Sequence, residues 1–271
     1  MRLAWATDIH FDSTPDPNEA AKSLGDAVRR QNVEGLIVTG DISTGQTLIL
    51  HLSQLEREVQ LPIYFVLGNH DVWCSSIEAT HNQMKELSRI SPFLKWLPST
   101  SYRPVSSSTT ILGHDGWYDA MNGDFRSSSM SLVDWQAVHD FRQIGGPANK
   151  GAIVSLSRKL ANAASTHIMR SIKEAVKYSS TIIVCTHVPP FVEACMHGGH
   201  KTDNDALPWY TNSSLGTVLR AAGIAYPKKK FICLAGHTHT KASFKVSHNV
   251  LCLVGGSEYG NPSLNDVIEV P

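Results

Sequence analysis

Short runs of consecutive apolar residues recur along the chain, and most of them are followed within two residues by a glycine, a histidine or an aspartate. Runs of this length without polar alternation predict strands that are buried on both faces. Six runs have this character, namely Leu3–Ala6, Leu36–Val38, Ile63–Leu67, Thr110–Leu112, Ile182–Cys185 and Phe231–Leu234.

Stretches with helical spacing separate these strands. A first helix is predicted to start at Asp16, because proline and glutamate follow this N-cap residue within the first turn. A second follows Gly45, where leucine and valine recur at intervals of three and four residues. A third is expected from about 155 to 177, and a fourth from near Asn212. Strands that alternate with helices predict an α/β fold.

Two segments depart from this alternation. Residues 242–254 predict a hairpin, since two short apolar runs flank a turn near Ser247. Residues 121–151 are irregular and rich in glycine, serine and other polar residues, which is typical of an insertion or a lid. We therefore expect a single domain over residues 1–271 that contains this insertion.

Composition narrows the classes of protein to consider. Basic and acidic residues number 24 each, so the net charge is about zero, and binding of extended nucleic acid is not favoured. No apolar run approaches the ~18 residues of a membrane span, and Asp8 interrupts the N-terminal run too early for a signal peptide. The five cysteines form no Cys-x-x-Cys pair, which is typical of a reducing compartment. A cytoplasmic location is expected, and the oligomeric state is left open.

Polar side chains of one chemical kind follow five of the predicted strands. Because ligands of α/β folds bind beyond the carboxyl ends of strands, these residues are expected to meet at one edge. They are Asp8, His10, Asp41, Asn69, His70, His187, His237 and His239.

Each of these groups taken alone has an ordinary explanation. An Asp-x-His sequence is usually a surface turn, Gly40-Asp41 is a common end of a strand, and a lone histidine such as His187 is usually hydrogen-bonded within its turn. The repetition favours a metal site, because every group follows a buried strand and all supply oxygen or nitrogen ligands.

The series of motifs resembles the calcineurin-like metallophosphoesterases. It consists of Asp8-Ile9-His10, Gly40-Asp41, Gly68-Asn69-His70-Asp71, His187 and Gly236-His237-Thr238-His239, in the order of that family. The resemblance implies a central β-sandwich of two sheets flanked by helices, with two divalent metal ions at the carboxyl ends of the strands.

The resemblance also implies a ligand for each position. The first ion would bind Asp8, His10 and His239, with Asp41 bridging to the second ion. The second ion would bind Asp41, Asn69, His187 and His237. Mixed nitrogen and oxygen ligands favour manganese or iron, with zinc as an alternative.

The implied reaction is hydrolysis of a small phosphoester by a water that the metals activate as hydroxide. His70 would not bind metal but would protonate or stabilise the leaving oxygen, and Asp71 would orient its imidazole.

Departures from the family's subgroups bear on the substrate. The arginines that phosphoprotein phosphatases carry beside their second and third motifs are missing around Asp41 and Asn69. The stretch His187-Val188-Pro189-Pro190 is similar to that of phosphodiesterases. A phosphodiesterase is favoured, a phosphomonoesterase of broad specificity is the alternative, and a catalytically silent metal-binding scaffold is a third hypothesis.

A glycine-rich loop follows the fourth motif. His197 and His200 flank Gly198 and Gly199, so these histidines either line the substrate pocket or lie exposed on the loop.

Overall fold

The computed structural model describes residues 1–271, with strands and helices alternating along most of the chain. The strands, in chain order, are β1 (Arg2–Ala6), β2 (Leu36–Thr39), β3 (Ile63–Val66), β4 (Leu94–Trp96), β5 (Arg103–Pro104), β6 (Thr109–Gly113), β7 (Thr181–Cys185), β8 (Met196–His197), β9 (His200–Lys201), β10 (Lys230–Ala235), β11 (Ala242–Lys245), β12 (Val250–Val254) and β13 (Asp266–Glu269). The α-helices are α1 (Pro17–Arg30), α2 (Leu48–Val59), α3 (Ile77–Ile90), α4 (Asp134–Ala137), α5 (His139–Gln143), α6 (Lys150–Ala175), α7 (Leu207–Tyr210) and α8 (Ser213–Ala225).

Two mixed sheets form the centre of the fold. The first has the order β13-β1-β2-β3-β4, and the second has the order β11-β12-β10-β7-β6-β5. Strands β1 to β4 run parallel in the first sheet, as do β6, β7, β10 and β12 in the second. The carboxyl ends of the motif-bearing strands in each sheet therefore lie at one edge.

Alternate residues of each strand face different layers. In β1, Leu3 and Trp5 pack between the two sheets, whereas Ala4 and Ala6 pack against helices. In β7, Ile183 packs between the sheets and Ile182 faces helices. Both faces of these strands are buried, so the expected two-sheet sandwich flanked by helices is confirmed.

The helices cover the outer faces of the sandwich. Helices α1, α2 and α3 pack on the first sheet, and α6 and α8 pack on the second. Asp16 caps α1 by accepting from the backbone N–H groups of Asn18 and Glu19 at 2.9 and 3.2 Å. Helix α6 begins at Lys150, five residues before the expected start at 155, because the side chain of Asn149 caps it.

Several elements carried no clear signal in the sequence. Helix α3 and strands β4 and β13 were not predicted, whereas the hairpin over 242–254 is present as β11 and β12. The irregular segment 121–151 contains α4 and α5, and its aromatic residues pack with Tyr118 and Trp209 in a separate apolar cluster. None of the helices combines the length and the apolar composition needed to cross a membrane.

Candidate functional site

The turns that follow β1, β2, β3, β7 and β10 bring the predicted metal ligands together. Two groups of side chains each offer ligand atoms within 4.8 Å of one another. The first group is Asp8, His10, Asp41 and His239, and the second is Asp41, His187 and His237. Asp41 belongs to both groups, and it is the residue that the sequence predicts to bridge the two ions.

Asn69 completes the second group. Its Oδ1 lies 3.2 Å from His187 Nε2 and 3.1 Å from His237 Nδ1. All seven predicted ligands are thus gathered at the shared edge of the two sheets, although they span 232 positions of the chain from residue 8 to residue 239.

Backbone strain is concentrated at these positions. Nine residues other than glycine have a positive φ, and five of them are predicted ligands, namely Asp8, His10, Asp41, His237 and His239. The left-handed conformation costs such residues about 1–2 kcal/mol each. Strain of this kind is typical of functional sites, where the surrounding structure holds side chains in a required direction.

One glycine of the third motif is required by close packing. A Cβ atom at Gly68 would collide with the carboxylate of Asp41. The absence of a side chain at Gly68 therefore lets the turn after β3 approach the shared carboxylate.

Backbone carbonyls fix the tautomers of two histidines. His187 Nδ1 donates to the carbonyl of Thr39 at 2.8 Å, and His237 Nε2 donates to the carbonyl of Trp209 at 3.1 Å. The opposite nitrogens, His187 Nε2 and His237 Nδ1, then face the centre of the site. Such a hydrogen bond to the outer nitrogen usually accompanies a histidine that binds a metal.

The electrostatics of the site also suit cations. Burial lowers the pKa of His10 and His237 to about 3 and that of His239 to about 4, so these imidazoles are neutral at physiological pH. Burial also lowers the pKa of His187, but the carboxylates of Asp41 and Asp8 outweigh it and raise this pKa to about 10. The three neutral imidazoles, the carboxylates and the amide oxygen form a donor set that fits divalent ions, and His187 would release its proton on binding one.

The buried carboxylates give a second reason for this fit. Burial, with a contribution from Asp41, raises the pKa of Asp8 to about 7. Neither Asp8 nor Asp41 forms a salt bridge with a lysine or an arginine, and their charged neighbours are histidines. Divalent ions would supply the positive charge that stabilises both carboxylates.

Asp71 differs from its predicted role. Its Oδ1 accepts from the backbone N–H groups of Ile42 and Ser43 at 2.8 and 2.9 Å, and its Oδ2 accepts from Gly68 N at 2.7 Å. Both oxygens are therefore occupied by backbone donors, and no hydrogen bond joins Asp71 to the imidazole of His70. The expectation that Asp71 orients this ring is wrong in this geometry, because Asp71 instead ties together the turns that carry Asp41 and Asn69.

His70 lies beside the two groups without belonging to either. Its Nε2 is 3.9 Å from Asp41 Oδ2, and its ring stacks on Trp73 with 3.6 Å between the ring centroids. Its backbone N–H donates to Asp41 Oδ1 at 2.9 Å. The backbone hydrogen bond to Asp41 and the stacking on Trp73 thus place the imidazole of His70 next to the shared carboxylate.

A cavity of about 400 Å³ opens over these residues. Its lining includes Asp41, Asn69, His70, His237 and His239 together with apolar and aromatic residues that sequence reasoning missed. The latter are Trp73, Met130, Leu132, Val133, Tyr210 and Tyr259. The sequence offered a signal only for Trp73, which lies one helical turn after His70.

The glycine-rich loop contributes one of its two histidines. His197 lines the cavity, whereas His200 lies exposed on β9 and does not. Tyr259, in the chain between β12 and β13, lies 4.5 Å from His10 and 4.8 Å from His239, measured between ring centroids. Burial and the nearby Asp41 and Asp8 raise the pKa of Tyr259 to about 12, so its hydroxyl remains protonated.

Solved structures with a similar fold come from several organisms. A phosphopantetheinyl hydrolase from Mycobacterium tuberculosis is 14% identical with a TM-score of 0.60, over 97% of this chain and 94% of that one. A dimetal phosphatase from Danio rerio is 15% identical with a TM-score of 0.57, over 94% of this chain and 87% of that one. At these identities, the similarity supports the fold alone.

Sequence comparisons identify a family, whereas the solved structures support only the fold. Among curated protein sequences, none matches it significantly. The model of the family described as calcineurin-like phosphoesterase matches residues 1–241, which include every residue of the two ligand groups. This chain therefore belongs to the calcineurin-like phosphoesterase family.

Proposed function

We propose that this protein is a phosphodiesterase that binds two divalent metal ions through Asp8, His10, Asp41, Asn69, His187, His237 and His239. Manganese or iron is favoured, because imidazole nitrogen and carboxylate oxygen are mixed in the donor set. When bound, the two ions would supply Lewis-acid activation of a water nucleophile and neutralisation of the phosphate charge.

The side chains of the protein divide the remaining tasks. Asp41 holds the two ligand groups together, since it is common to both. His70 faces the cavity without belonging to either group, so its ring is free to donate a proton to the leaving oxygen. Asp71 accepts hydrogen bonds from backbone N–H groups in the turns that carry Asp41 and His70, and so holds these turns together.

The lining of the cavity carries the proposal of a diester. None of the fourteen residues that line it is a lysine or an arginine. A phosphomonoester dianion would therefore find no cationic side chain beyond the metals, whereas a diester has one negative charge and a second ester group to bury. Apolar side chains of Met130, Leu132 and Val133 and the rings of Trp73 and Tyr259 offer a surface for that group.

The size of the cavity favours a small substrate. About 400 Å³ lies within the usual range for sites that bind small molecules. A nucleotide-like or lipid-like diester with an apolar or planar ester group fits this volume and lining, and an extended nucleic acid does not.

A comparison of two model substrates tests the proposal. The protein is stripped with a chelator and reloaded with Mn²⁺, and hydrolysis of bis-p-nitrophenyl phosphate is compared with that of p-nitrophenyl phosphate. We expect kcat/KM for the diester to be at least about tenfold higher, a difference of roughly 1.4 kcal/mol in transition-state stabilisation. The variant Asp41→Asn, which lacks the carboxylate common to both ligand groups and is purified in parallel, shows how much activity comes from contaminating phosphatases.

Two outcomes would contradict the proposal. A higher kcat/KM for the monoester would favour the phosphomonoesterase, whose dianionic substrate would then be held by the metals alone. Stoichiometric metal binding without turnover of either ester would instead favour the silent scaffold.

A further inference from the structure

A buried aspartate lies in the wall of the cavity over the candidate site. Asp134 is the first residue of α4, within the irregular segment 121–151, and the residue is 1% exposed. Its Oδ1 accepts two hydrogen bonds at 2.8 Å, one from Asn69 Nδ2 and one from Trp73 Nε1. Its Oδ2 accepts from the hydroxyl of Tyr118 at 3.3 Å.

The first of these bonds sets the direction of the Asn69 amide. A carboxylate accepts hydrogen bonds and donates none, so the NH₂ group of Asn69 must face Asp134. The amide oxygen then points the other way, towards His187 Nε2 and His237 Nδ1. Without this acceptor, nothing in the contacts of Asn69 would prevent the amide from turning its NH₂ group towards the second ligand group.

The second bond sets the position of the Trp73 indole. Because the indole nitrogen only donates, its bond to Asp134 has a single polarity. The ring of Trp73 stacks on His70, with an angle of 25° between the ring planes. Asp134 Oδ1 therefore holds both the predicted ligand Asn69 and the indole of Trp73, on which the predicted proton donor His70 stacks.

Fold stability alone is a poor explanation for this residue. Asp134 forms no salt bridge, so it is a buried carboxylate without a cationic side chain as partner. Burying an unpaired charge is costly, and an apolar residue would usually serve a folded core better. Divalent ions at the neighbouring site would compensate this charge.

We propose that Asp134 is a positioning residue that fixes the amide of Asn69 towards the second metal ion and, through Trp73, fixes the plane of His70. The part that concerns His70 rests on the proposed function, and the part that concerns Asn69 requires only that the metal binds.

Metal affinity tests the first part without any substrate. Mn²⁺ is titrated calorimetrically into the metal-free full-length protein and into the variant Asp134→Ala. One of the two binding events is expected to lose roughly 10–100-fold in affinity, as is usual when a group behind a ligand is removed. The affinity of the other binding event should change less than about twofold. The control Asp124→Ala removes an exposed aspartate of the same segment that does not line the cavity.

The leaving group tests the second part. Hydrolysis is measured for aryl phosphodiesters whose leaving groups range from p-nitrophenol to phenol. The variant Trp73→Phe keeps an aromatic ring under His70 but loses the N–H bond to Asp134. It should slow the phenol ester about tenfold and the p-nitrophenol ester much less, with unchanged metal affinity. The conservative variant Asp134→Asn, which retains an acceptor oxygen, should restore most of what Asp134→Ala loses.

The possible results separate the two claims. If both Mn²⁺ affinities of Asp134→Ala stay within twofold of those of the unmodified protein, as is expected for Asp124→Ala, the role assigned at Asn69 is overturned. An unaltered dependence on the leaving group in Trp73→Phe would overturn the role assigned at His70, and this variant stays decisive if Asp134→Ala fails to fold. Loss of metal affinity in Asp134→Ala, with no diester hydrolysis even by the unmodified protein, would support the positioning of Asn69 and contradict only the proposed function.

Discussion

Asp41→Asn is expected to abolish diester hydrolysis and to leave the protein unable to retain two divalent ions. The carboxylate is 2% exposed, and its Oδ2 lies 3.3 Å from His187 Nε2 and 3.8 Å from His10 Nε2. An amide at this position has nearly the same shape but no charge. At an effective dielectric constant of ~20, one charge pair at 4 Å contributes about 4 kcal/mol, so metal affinity should fall by roughly 10³-fold or more.

The metal content of this variant is measured after dialysis against buffer with limiting Mn²⁺, alongside its rate of hydrolysis. Asp26→Asn is a matched control, because Asp26 lies on the exposed face of α1 and pairs with Arg29. It should retain both the metal and the activity of the unmodified protein. Two ions per chain in Asp41→Asn, with normal turnover, would contradict the assignment of Asp41 as the shared ligand.

His70→Ala is expected to retain its metal ions and to lose most of its rate on esters with poor leaving groups. The imidazole lies in the cavity next to Asp41 but belongs to neither ligand group. Removal of a positioned proton donor typically costs about 10²–10⁴-fold in rate. The loss should be smallest for p-nitrophenol, whose anion leaves without protonation.

Steady-state rates across a series of leaving groups measure this effect, and metal analysis shows whether the ions remain. His200→Ala serves as control, since His200 is an exposed histidine that does not line the cavity. Equal rates for His70→Ala and the unmodified protein on a phenol ester would remove His70 from the reaction. Loss of metal would instead make it a ligand or a support of the ligands.

The strands and the ligand series were predictable because their signals are local. Each of five buried strands is followed within four residues by aspartate, asparagine or histidine, and parallel strands must bring their carboxyl ends to one edge. Helix α1 was predictable for the same reason, since the cap at Asp16 lies next to the helix that it starts.

The residues that surround the ligands could not be predicted from local sequence signals. Asp134 contacts Asn69 across 65 positions, and Tyr259 reaches His10 from beyond the last motif. Neither lies in a periodic pattern, because their positions follow from the packing of irregular segments against the sandwich. The role expected of Asp71 was wrong for a related reason, since its sequence position beside His70 did not reveal the backbone donors that surround its carboxylate.

The activity proposed for this protein requires two metal ions at one site. The most direct test titrates the metal-free protein with Mn²⁺ while following hydrolysis of bis-p-nitrophenyl phosphate. We expect no turnover at zero equivalents and a plateau at two equivalents per chain. Full turnover by the metal-free protein, or a plateau at one equivalent, would contradict this requirement.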